Sequence, residues 1–573
     1  MTINKKTLTH SSIGMKKIIL CLLLLQGLYA AFGQNSSTII NVDLNKEIGE
    51  MHPFWAWFGA DEPNYAYMRD GKKLLSELSA MSPVPVYFRA HNLLTSGHDT
   101  MNLKWGSTNV YTEDANGKPI YDFTILDKIF DTYLQRGIKP MAQFSFMPEA
   151  LSTNPQPYEH HWQPGMPYDK VYTGWAYPPK DYKKWADLVY TWVKHAVERY
   201  GKAEVETWYW ELWNEPNIGY WKGTVEEYCK LYDYTADAAK RALPSIRMGG
   251  PETTGPSWNK AADFLKTFLT HCVSGKNYAT GKIGSPLDFI TFHAKGAPKI
   301  VDGHVQMNMG TQLRDISEGF RIVASYPTLK SLPIIIGESD PEGCAACGMK
   351  TNPSNAYRNG TMYSSYTAAS FARKYALADH FKVNLKGAVS WSFEFENQPY
   401  FYGFRDLATN GIDKPVLNVF RMFALMKGKR VEVKGNQNYS YTAVRDSSVR
   451  GPKADIDGIA SKDLRSVAVM LWHYHDDDVK TGKASIELNL KGFTVKTLNL
   501  HHYRIDDENS NSYEVWKKMG SPENPTAEQI ALLEKAGQLT LLNSPAYVKT
   551  NNGALKMEIE LPRQGVSLLK FDW

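Results

Sequence analysis

The chain has 573 residues, of which 43% are hydrophobic and 13% are aromatic, and its formal net charge is +5. This length exceeds what one hydrophobic core usually organises, so we expect about two domains. Lysine and arginine are spread along the chain without a basic tract or a nucleic-acid-binding motif, which argues against nucleic acid as a partner. The aromatic surplus suits either large cores or a carbohydrate-binding cleft, because the C–H faces of sugars stack on aromatic rings.

The N-terminus has the features of a secretory signal peptide. Lys16 and Lys17 precede the apolar run IILCLLLLQGLYA, and a small-x-small pattern ends at Gly33. This run is too short to remain as a membrane-spanning helix in the mature protein. We therefore expect residues 1–33 to be a signal peptide and the mature protein to begin near Gln34. The product would be exported to the periplasm or the medium, without a membrane anchor.

Between residues 50 and 427, eight short apolar runs alternate with helical patterns. The candidate strands are FWAWFG, VPVYFR, KPMAQFSF, WYWELW, IRMGG, LDFITFH, LPIIIG and LKGAVSW. Gly137 and Gly201 follow two amphipathic segments as helix ends, and Thr224 with Glu227 predicts a capping box at the start of a third. Eight strand–helix units predict a closed (β/α)8 TIM barrel of the α/β class over residues 50–427.

The pattern changes after Lys427. Short alternating strands such as SVAVMLWHY, ASIELNL and VSLLKFDW are separated by turn residues, with one helix from Thr526 toward Gly537. Residues 428–573 are therefore predicted to form a β-sandwich. The segment 34–49 contains STIINVDL, which precedes the first barrel strand, and we expect it to join this sandwich.

Cys344 and Cys347 form a CAAC pair in the loop after the seventh candidate strand. In an oxidising compartment such a pair can form a disulfide, and in principle it is half of a zinc site. A complete zinc site needs about four ligands, and no second CxxC or paired histidine motif accompanies this one. We expect a structural disulfide or plain loop thiols rather than a metal site.

Two carboxylates follow apolar strands in corresponding places. Glu215 ends WYWELWNE at the fourth strand, and Glu338 follows LPIIIG at the seventh. Strand ends of a parallel barrel meet at one mouth, and facing carboxylates suit glycoside hydrolysis, with one as general acid and the other as nucleophile or base. A single carboxylate after a strand is more often a solvated loop residue, but the pair favours catalysis.

Several segments resemble glycoside hydrolase family 39, the family of β-xylosidases and α-L-iduronidases. WNEPN is followed by YWKGTVEEYCKLYDYTADAAK and GGPETT, and LDFITFHA and YRIDDENSNSYEVWKKMGSPENPT agree in order over most of the mature chain. The resemblance implies that Glu215 is the acid/base and Glu338 the nucleophile. It implies that Asn214 donates to or accepts from the 2-hydroxyl of the sugar.

The resemblance also implies a set of residues around the bound sugar. They are His91, Phe146, His293, Trp391 and the pair Glu394 or Glu396. Arg89 is expected to pair with carboxylates beneath the site. The chain departs from the family at the sixth strand, where His-x-Tyr is common but His293-Ala294-Lys295 stands. Either another group orients Glu338, or Lys295 binds an acidic or differently shaped sugar.

The leading interpretation is a retaining exo-glycosidase, a β-xylosidase that removes xylose from the non-reducing ends of xylo-oligosaccharides. An α-L-arabinofuranosidase or an α-L-iduronidase-like enzyme would use the same machinery on another sugar. A non-catalytic carbohydrate-binding barrel is the alternative from another class. The resemblance implies no metal or organic cofactor, and because members of the family often associate, a homo-oligomer is within expectation.

Overall fold

The computed structural model describes residues 1–2, 38–99, 101–344, 346–391 and 393–573. The expected signal peptide, apart from residues 1–2, and the beginning of the segment 34–49 lie outside these residues. Within the described ranges, no helix combines the length and the apolar character needed to cross a membrane.

Eight parallel strands form the barrel, and each coincides with one of the apolar runs. The eighth is interrupted at Val389: Asn384–Ala388 pairs with the seventh strand and Ser390–Trp391 pairs with the first, which brings the two edges of the sheet together. The expected TIM barrel is confirmed. Its strands 1 to 8 are Trp57–Ala60, Val86–Ala90, Ile138–Phe144, Tyr209–Leu212, Met248–Thr253, Phe289–Phe292, Pro333–Ile336 and Asn384–Ala388 with Ser390–Trp391.

The helices begin and end near the residues that the sequence indicated. The helix Tyr182–Tyr200 stops at Gly201, whose φ of +85° is readily accessible only to glycine. Thr224 and Glu227 form the capping box of the next long helix. The α-helices of the described residues are Arg69–Met81, Thr124–Gln135, Tyr182–Tyr200, Lys202–Val205, Val225–Ala242, Asn259–Ser274, Met309–Ala324, Thr361–Phe381, Pro415–Leu425, Tyr441–Ser447, Ser512–Lys518 and Ala527–Ala536.

A second, mostly antiparallel sheet contains ten strands. Thr38–Glu50 enters it between two distant segments, antiparallel to Lys429–Gly435 and parallel to Ala484–Lys491. The other strands are Asp455–Lys462, Ser466–Tyr474, Thr497–Ile505, Thr540–Leu541, Ala546–Lys549, Ala554–Leu561 and Val566–Asp572. Among the described residues, three short two-stranded ribbons lie outside both sheets, at Tyr111–Glu113 with Pro119–Tyr121, Lys299–Val301 with His304–Gln306, and Ala408–Thr409 with Ile412–Asp413.

This sheet folds onto itself, as the expected β-sandwich does. Val42, Val469, Leu488 and Phe571 come from four different strands and share one hydrophobic core. The alternate residues of Ser466–Tyr474 instead join the core of the barrel.

The barrel and the sandwich meet through the helix Thr361–Phe381. Tyr366 of this helix packs edge-on against Tyr474, with ring centroids 5.9 Å apart. Arg373 Nη2 donates to Asp455 Oδ2 of the sandwich over 2.7 Å. This helix belongs to the outer layer of the barrel, so the sandwich packs against the outside of the barrel through it.

Candidate active site

A cavity of about 380 Å³ lies at the carboxyl ends of the barrel strands. Glu215, after strand 4, His293, after strand 6, and Glu338, after strand 7, all line it. One carboxylate oxygen from each glutamate and one ring nitrogen of His293 lie within 4.8 Å of one another. The barrel therefore brings the two carboxylates identified from the sequence to one point.

Glu338 is surrounded by positive charge. Arg405 Nη2 donates to Oε2 over 2.9 Å, Lys295 Nζ contacts the same oxygen, and Arg89 Nη1 lies 3.5 Å from Oε1. Burial opposes ionisation, but the charges of Lys295, His293 and Arg405 outweigh it and hold the pKa of the Glu338 carboxyl well below its ordinary value. Glu338 is therefore an anion at neutral pH.

Glu215 lies on a sharp turn of the backbone. Trp213 has a backbone φ of +68° and Glu215 one of +44°, and residues other than glycine rarely adopt such positive values. The Glu215 amide donates to the carbonyl of Glu252 over 2.8 Å, which fixes this turn to strand 5. The Glu215 side chain is 15% exposed, and its Oε1 lies 2.9 Å from His293 Nδ1.

His293 connects Glu215 to a buried carboxylate. Its Nε2 lies 2.8 Å from Glu252 Oε2. Burial alone would lower the pKa of His293, but the negative charge of Glu338, the hydrogen bond with Glu215 and the contact with Glu252 raise it above its ordinary value. Burial likewise opposes ionisation of Glu252, yet the nearby charge of Arg89 lowers its pKa to about 2. These contacts hold the imidazole ring in one orientation against Glu215.

Arg89 lies beneath the cavity, as expected. It donates from Nη2 to Asn214 Oδ1 over 3.1 Å and from Nε to Glu211 Oε1. With its oxygen engaged by Arg89, Asn214 retains its amide NH₂ group for a ligand, and Asn214 lines the cavity.

Several residues that line the cavity were not identified from the sequence, among them Asp61, Lys104, Tyr168, Tyr220 and Arg405. Lys104 Nζ donates to Asp61 Oδ2 over 2.9 Å, and it lies 3.4 Å from Tyr220 Oη, which lies 3.3 Å from Tyr168 Oη. Asp61 directly follows strand 1, so the rule that strand ends meet at the mouth would have found it. Lys104 and Tyr220 lie in turns, and Tyr168 begins the short 3-10 helix Tyr168–Val171, so none of them belongs to a periodic pattern.

His91, Phe146 and Trp391 lie behind the cavity rather than on its lining. His91 Nδ1 pairs with Gln143 Oε1 at 2.8 Å, and its ring packs 4.5 Å from Trp391. Trp391 also lies under the guanidinium of Arg89 at 4.9 Å. The ring of Phe146 packs 5.9 Å from His91. These three side chains support the residues that reach the cavity.

Glu394 and Glu396 lie apart from the cavity lining. Glu394 Oε1 accepts from the amide of Gly411, and Glu396 Oε1 accepts from the amides of Asp70 and Gly71 at 2.5 and 3.3 Å. The contact of these two glutamates with a sugar stays a prediction.

Cys344 and Cys347 form a disulfide in the loop that follows Glu338. Glu342, Gly343 and Cys344 of this loop line the cavity. Arg405 Nη1 donates to the carbonyl of Gly343 over 3.0 Å. The loop is thus tied to the same arginine that contacts the nucleophile candidate.

Glu215, His293 and Glu338 have donor atoms close enough to share a cation. Lys295 and Arg405 already contact Glu338 Oε2, however, and their charges oppose a metal ion at that position. The cluster suits proton transfer and nucleophilic attack better than metal binding.

Several known proteins are similar to this chain in sequence. The family model for Glycosyl hydrolases family 39 matches residues 38–545. The β-xylosidase of Caldicellulosiruptor saccharolyticus is 29% identical over 513 residues, which cover 87% of this chain and 91% of that protein. The α-L-iduronidase of Mus musculus is 23% identical over 543 residues, which cover 86% of this chain and 75% of that protein.

A solved structure has the same fold. The crystal structure of a monomeric β-xylosidase from Caulobacter crescentus CB15 superposes with a TM-score of 0.71 at 22% identity. The match covers 93% of this chain and 99% of that one. The arrangement of a barrel with an attached sandwich is therefore shared.

Proposed function

This chain belongs to glycosyl hydrolase family 39, and on that premise we propose that it is a retaining β-xylosidase. It is a glycosidase, since the family match covers most of the chain. The proposal adds the sugar, the stereochemistry and the site of cleavage: xylose is released from the non-reducing ends of xylo-oligosaccharides.

The separation of the two carboxylates carries the proposal of retention. Retaining enzymes hold their carboxyl groups about 5 to 5.5 Å apart, whereas inverting enzymes leave roughly 6.5 to 9.5 Å for a water molecule. Oxygens of Glu215 and Glu338 lie within 4.8 Å of each other. This distance favours direct attack by Glu338 on the sugar.

The first step of the mechanism forms a glycosyl-enzyme. The ionised Glu338 attacks the anomeric carbon, and the bond between this carbon and the glycosidic oxygen breaks. Glu215, held by His293 Nδ1, gives its proton to the departing oxygen. The shortened sugar chain leaves as an alcohol, and the Glu338–xylosyl ester remains.

The second step hydrolyses that ester. Glu215, now ionised, removes a proton from a water molecule, whose oxygen bonds to the anomeric carbon. The bond between this carbon and Glu338 breaks, and its electron pair returns to the carboxylate. Two inversions at one carbon yield xylose with its original anomeric configuration.

The charges in the cavity favour a neutral sugar. Each cation of the lining already contacts a carboxylate: Lys104 contacts Asp61, and Lys295 and Arg405 contact Glu338. A uronate would need a further positive charge for its own carboxylate. This pairing supports xylose over iduronate, although Lys295 at the lining and the similarity to an α-L-iduronidase keep that sugar as a second candidate.

A panel of p-nitrophenyl glycosides tests the sugar. Release from the β-D-xylopyranoside and not from the α-L-iduronide is the expected result, and preference for the iduronide would overturn the assignment. The α-L-arabinofuranoside belongs in the panel because it is neutral as well, so the charge argument does not separate it from xylose. Wild-type protein that binds xylo-oligosaccharides but releases nothing from any of these glycosides would indicate a binding barrel.

Azide separates the roles of the two glutamates. In Glu338→Ala, azide can replace the missing nucleophile, so a β-xyloside should yield α-xylosyl azide. In Glu215→Ala, azide should attack the glycosyl-enzyme and yield β-xylosyl azide. The same product configuration from both variants would contradict the assigned roles.

Export is the remaining part of the proposal, and it rests on the N-terminal sequence. Deleting residues 1–33 should retain the protein in the cytoplasm of its host, while the full chain should appear outside it. Equal cytoplasmic retention of both forms would contradict export.

A further inference from the structure

Two cations meet at one oxygen of the nucleophile candidate. Lys295 Nζ and Arg405 Nη2 both contact Glu338 Oε2, whereas Oε1 lies 3.4 Å from His91 Nε2, 3.5 Å from Arg89 Nη1 and 3.9 Å from His293 Nδ1. Lys295 therefore adds a second cation to the one that Arg405 places on Oε2. Contacts of a carboxylate with charged donors are stronger than those with neutral ones.

Lys295 is fixed in this position by several groups. Its backbone amide lies 3.4 Å from Asp315 Oδ2, and its Nζ lies 3.6 Å from Asp340 Oδ1. A Cβ atom added at Gly343 would lie 3.3 Å from both Cδ and Cε of Lys295, so the disulfide loop packs closely against its stem. The side chain is 19% exposed and directed at Glu338.

We propose that Lys295 is a positioning residue that speeds the departure of Glu338 from the glycosyl-enzyme, so that breakdown of this intermediate does not limit turnover. The proposal rests on the function proposed above. It also assigns Lys295 to the nucleophile instead of to the carboxylate of an acidic sugar.

The two chemical steps use the charge of Glu338 in opposite ways. In the first step Glu338 loses its negative charge to a new C–O bond, so adjacent cations stabilise the reactant. In the second step this bond breaks and the electron pair returns to the carboxylate, so the same cations stabilise the developing anion. Lys295 therefore favours the second step over the first.

The test compares Lys295→Met with the wild type on p-nitrophenyl β-D-xylopyranoside. Removing the charge should slow only the second step, so kcat and KM should both fall about tenfold while kcat/KM stays within about twofold. A pre-steady-state burst of p-nitrophenolate should appear, and intact-protein mass spectrometry should detect the xylosyl-enzyme. Lys295→Arg, which keeps the charge, should restore the wild-type pattern.

The opposite kinetic pattern would overturn the proposal. If kcat and kcat/KM fall together with KM unchanged and no burst, Lys295 acts in the first step or only in folding. Gly343→Ala provides a second variant, because its added methyl group would press on the Lys295 stem without removing a charge. This variant should shift kcat and KM in the same direction as Lys295→Met. Unchanged kinetics in a Gly343→Ala variant whose lysine is displaced would count against the proposal.

The failure of this proposal and that of the proposed function have different signatures. If azide products show no double displacement, the assigned mechanism fails whatever Lys295 does. If those products are as expected and Lys295→Met shows no fall in KM, only the role of Lys295 fails. If another glycoside of the panel is the substrate, the same kinetics are measured on it.

Discussion

The surroundings of Glu215 and Glu338 differ although the two side chains are identical. Glu338 is 5% exposed and has a lysine and two arginines within 3.5 Å of its oxygens. Glu215 is 15% exposed, and the charged neighbour at its Oε1 is an imidazole at 2.9 Å. The cavity thus surrounds Glu338 with cations that hold it as an anion, and it places Glu215 against the imidazole of His293.

With the roles proposed above, this difference suits each glutamate to its own step. A nucleophile must be ionised before the sugar arrives, and cations ensure this for Glu338. The proposed acid/base must gain and lose a proton in each turnover, and Oε1 of Glu215 contacts His293 rather than a lysine or an arginine. In the proposed mechanism, the surroundings of each glutamate, rather than its side chain, determine its role.

Removing the nucleophile should have the largest effect. Glu338→Ala is expected to lower kcat by a factor on the order of 10⁴ or more, because no other carboxylate in the cavity is held as an anion at that place. Steady-state hydrolysis of the β-xyloside with and without azide measures this. Retention of more than a hundredth of the activity would place the nucleophile elsewhere.

Removing the acid/base should have a smaller effect that depends on the leaving group. Glu215→Ala should slow hydrolysis of xylobiose by about 10² to 10⁴, because a sugar alcohol needs a proton to depart. The loss should be smaller for the first step with p-nitrophenolate, which departs without one. Equal losses on both substrates would contradict the role of Glu215 as acid.

The pH dependence should respond to Lys295. Because the pKa of Glu338 is held below its ordinary value, Glu338 stays ionised as the pH falls, and the acidic limb of kcat/KM should lie below the usual range of glutamate. Lys295→Met removes one of the charges that lower this pKa, so the limb should move to higher pH. The exposed Lys330 provides a matched control, and Lys330→Met should leave the limb unchanged. A limb that does not move in Lys295→Met would show that the other positive groups around Glu338, Arg405, Arg89 and His293, keep it ionised without Lys295.

A glutamate away from the cavity should have the smallest effect. Glu396 accepts from the amides at the start of the helix Arg69–Met81, and glutamine keeps an acceptor oxygen there, so Glu396→Gln should change kcat/KM by about twofold or less. Measuring kcat/KM for the β-xyloside tests this. A large rise in KM would instead support the sugar contact inferred from the sequence.

The fold and the two central carboxylates could be predicted because both leave local signals. Each barrel strand is a short apolar run, and the residues after Leu212 and Ile336 reach the mouth wherever a parallel barrel closes. The resemblance also indicated Glu394 and Glu396, which follow strand 8. There the chain continues into a turn whose direction no periodic pattern encodes.

The partners of Glu338 could not be predicted from the sequence. Arg405 is 67 residues away along the chain and reaches Oε2 from an irregular segment. The direction of the Lys295 side chain depends on its packing against Gly343. Pairing between loops depends on the three-dimensional path of both, so it becomes visible only in the folded chain.

The strand Thr38–Glu50 has a consequence for synthesis of the chain. Its hydrogen bond from the Ile39 amide to Asn436 Oδ1 spans 397 positions, and its parallel neighbour Ala484–Lys491 comes later still. At about 5 to 20 residues per second, the ribosome needs roughly 20 to 80 s to make the first of these partners. Throughout this interval both edges of the strand lack their neighbours. The strand that is made first among the described elements is therefore among the last to be completed.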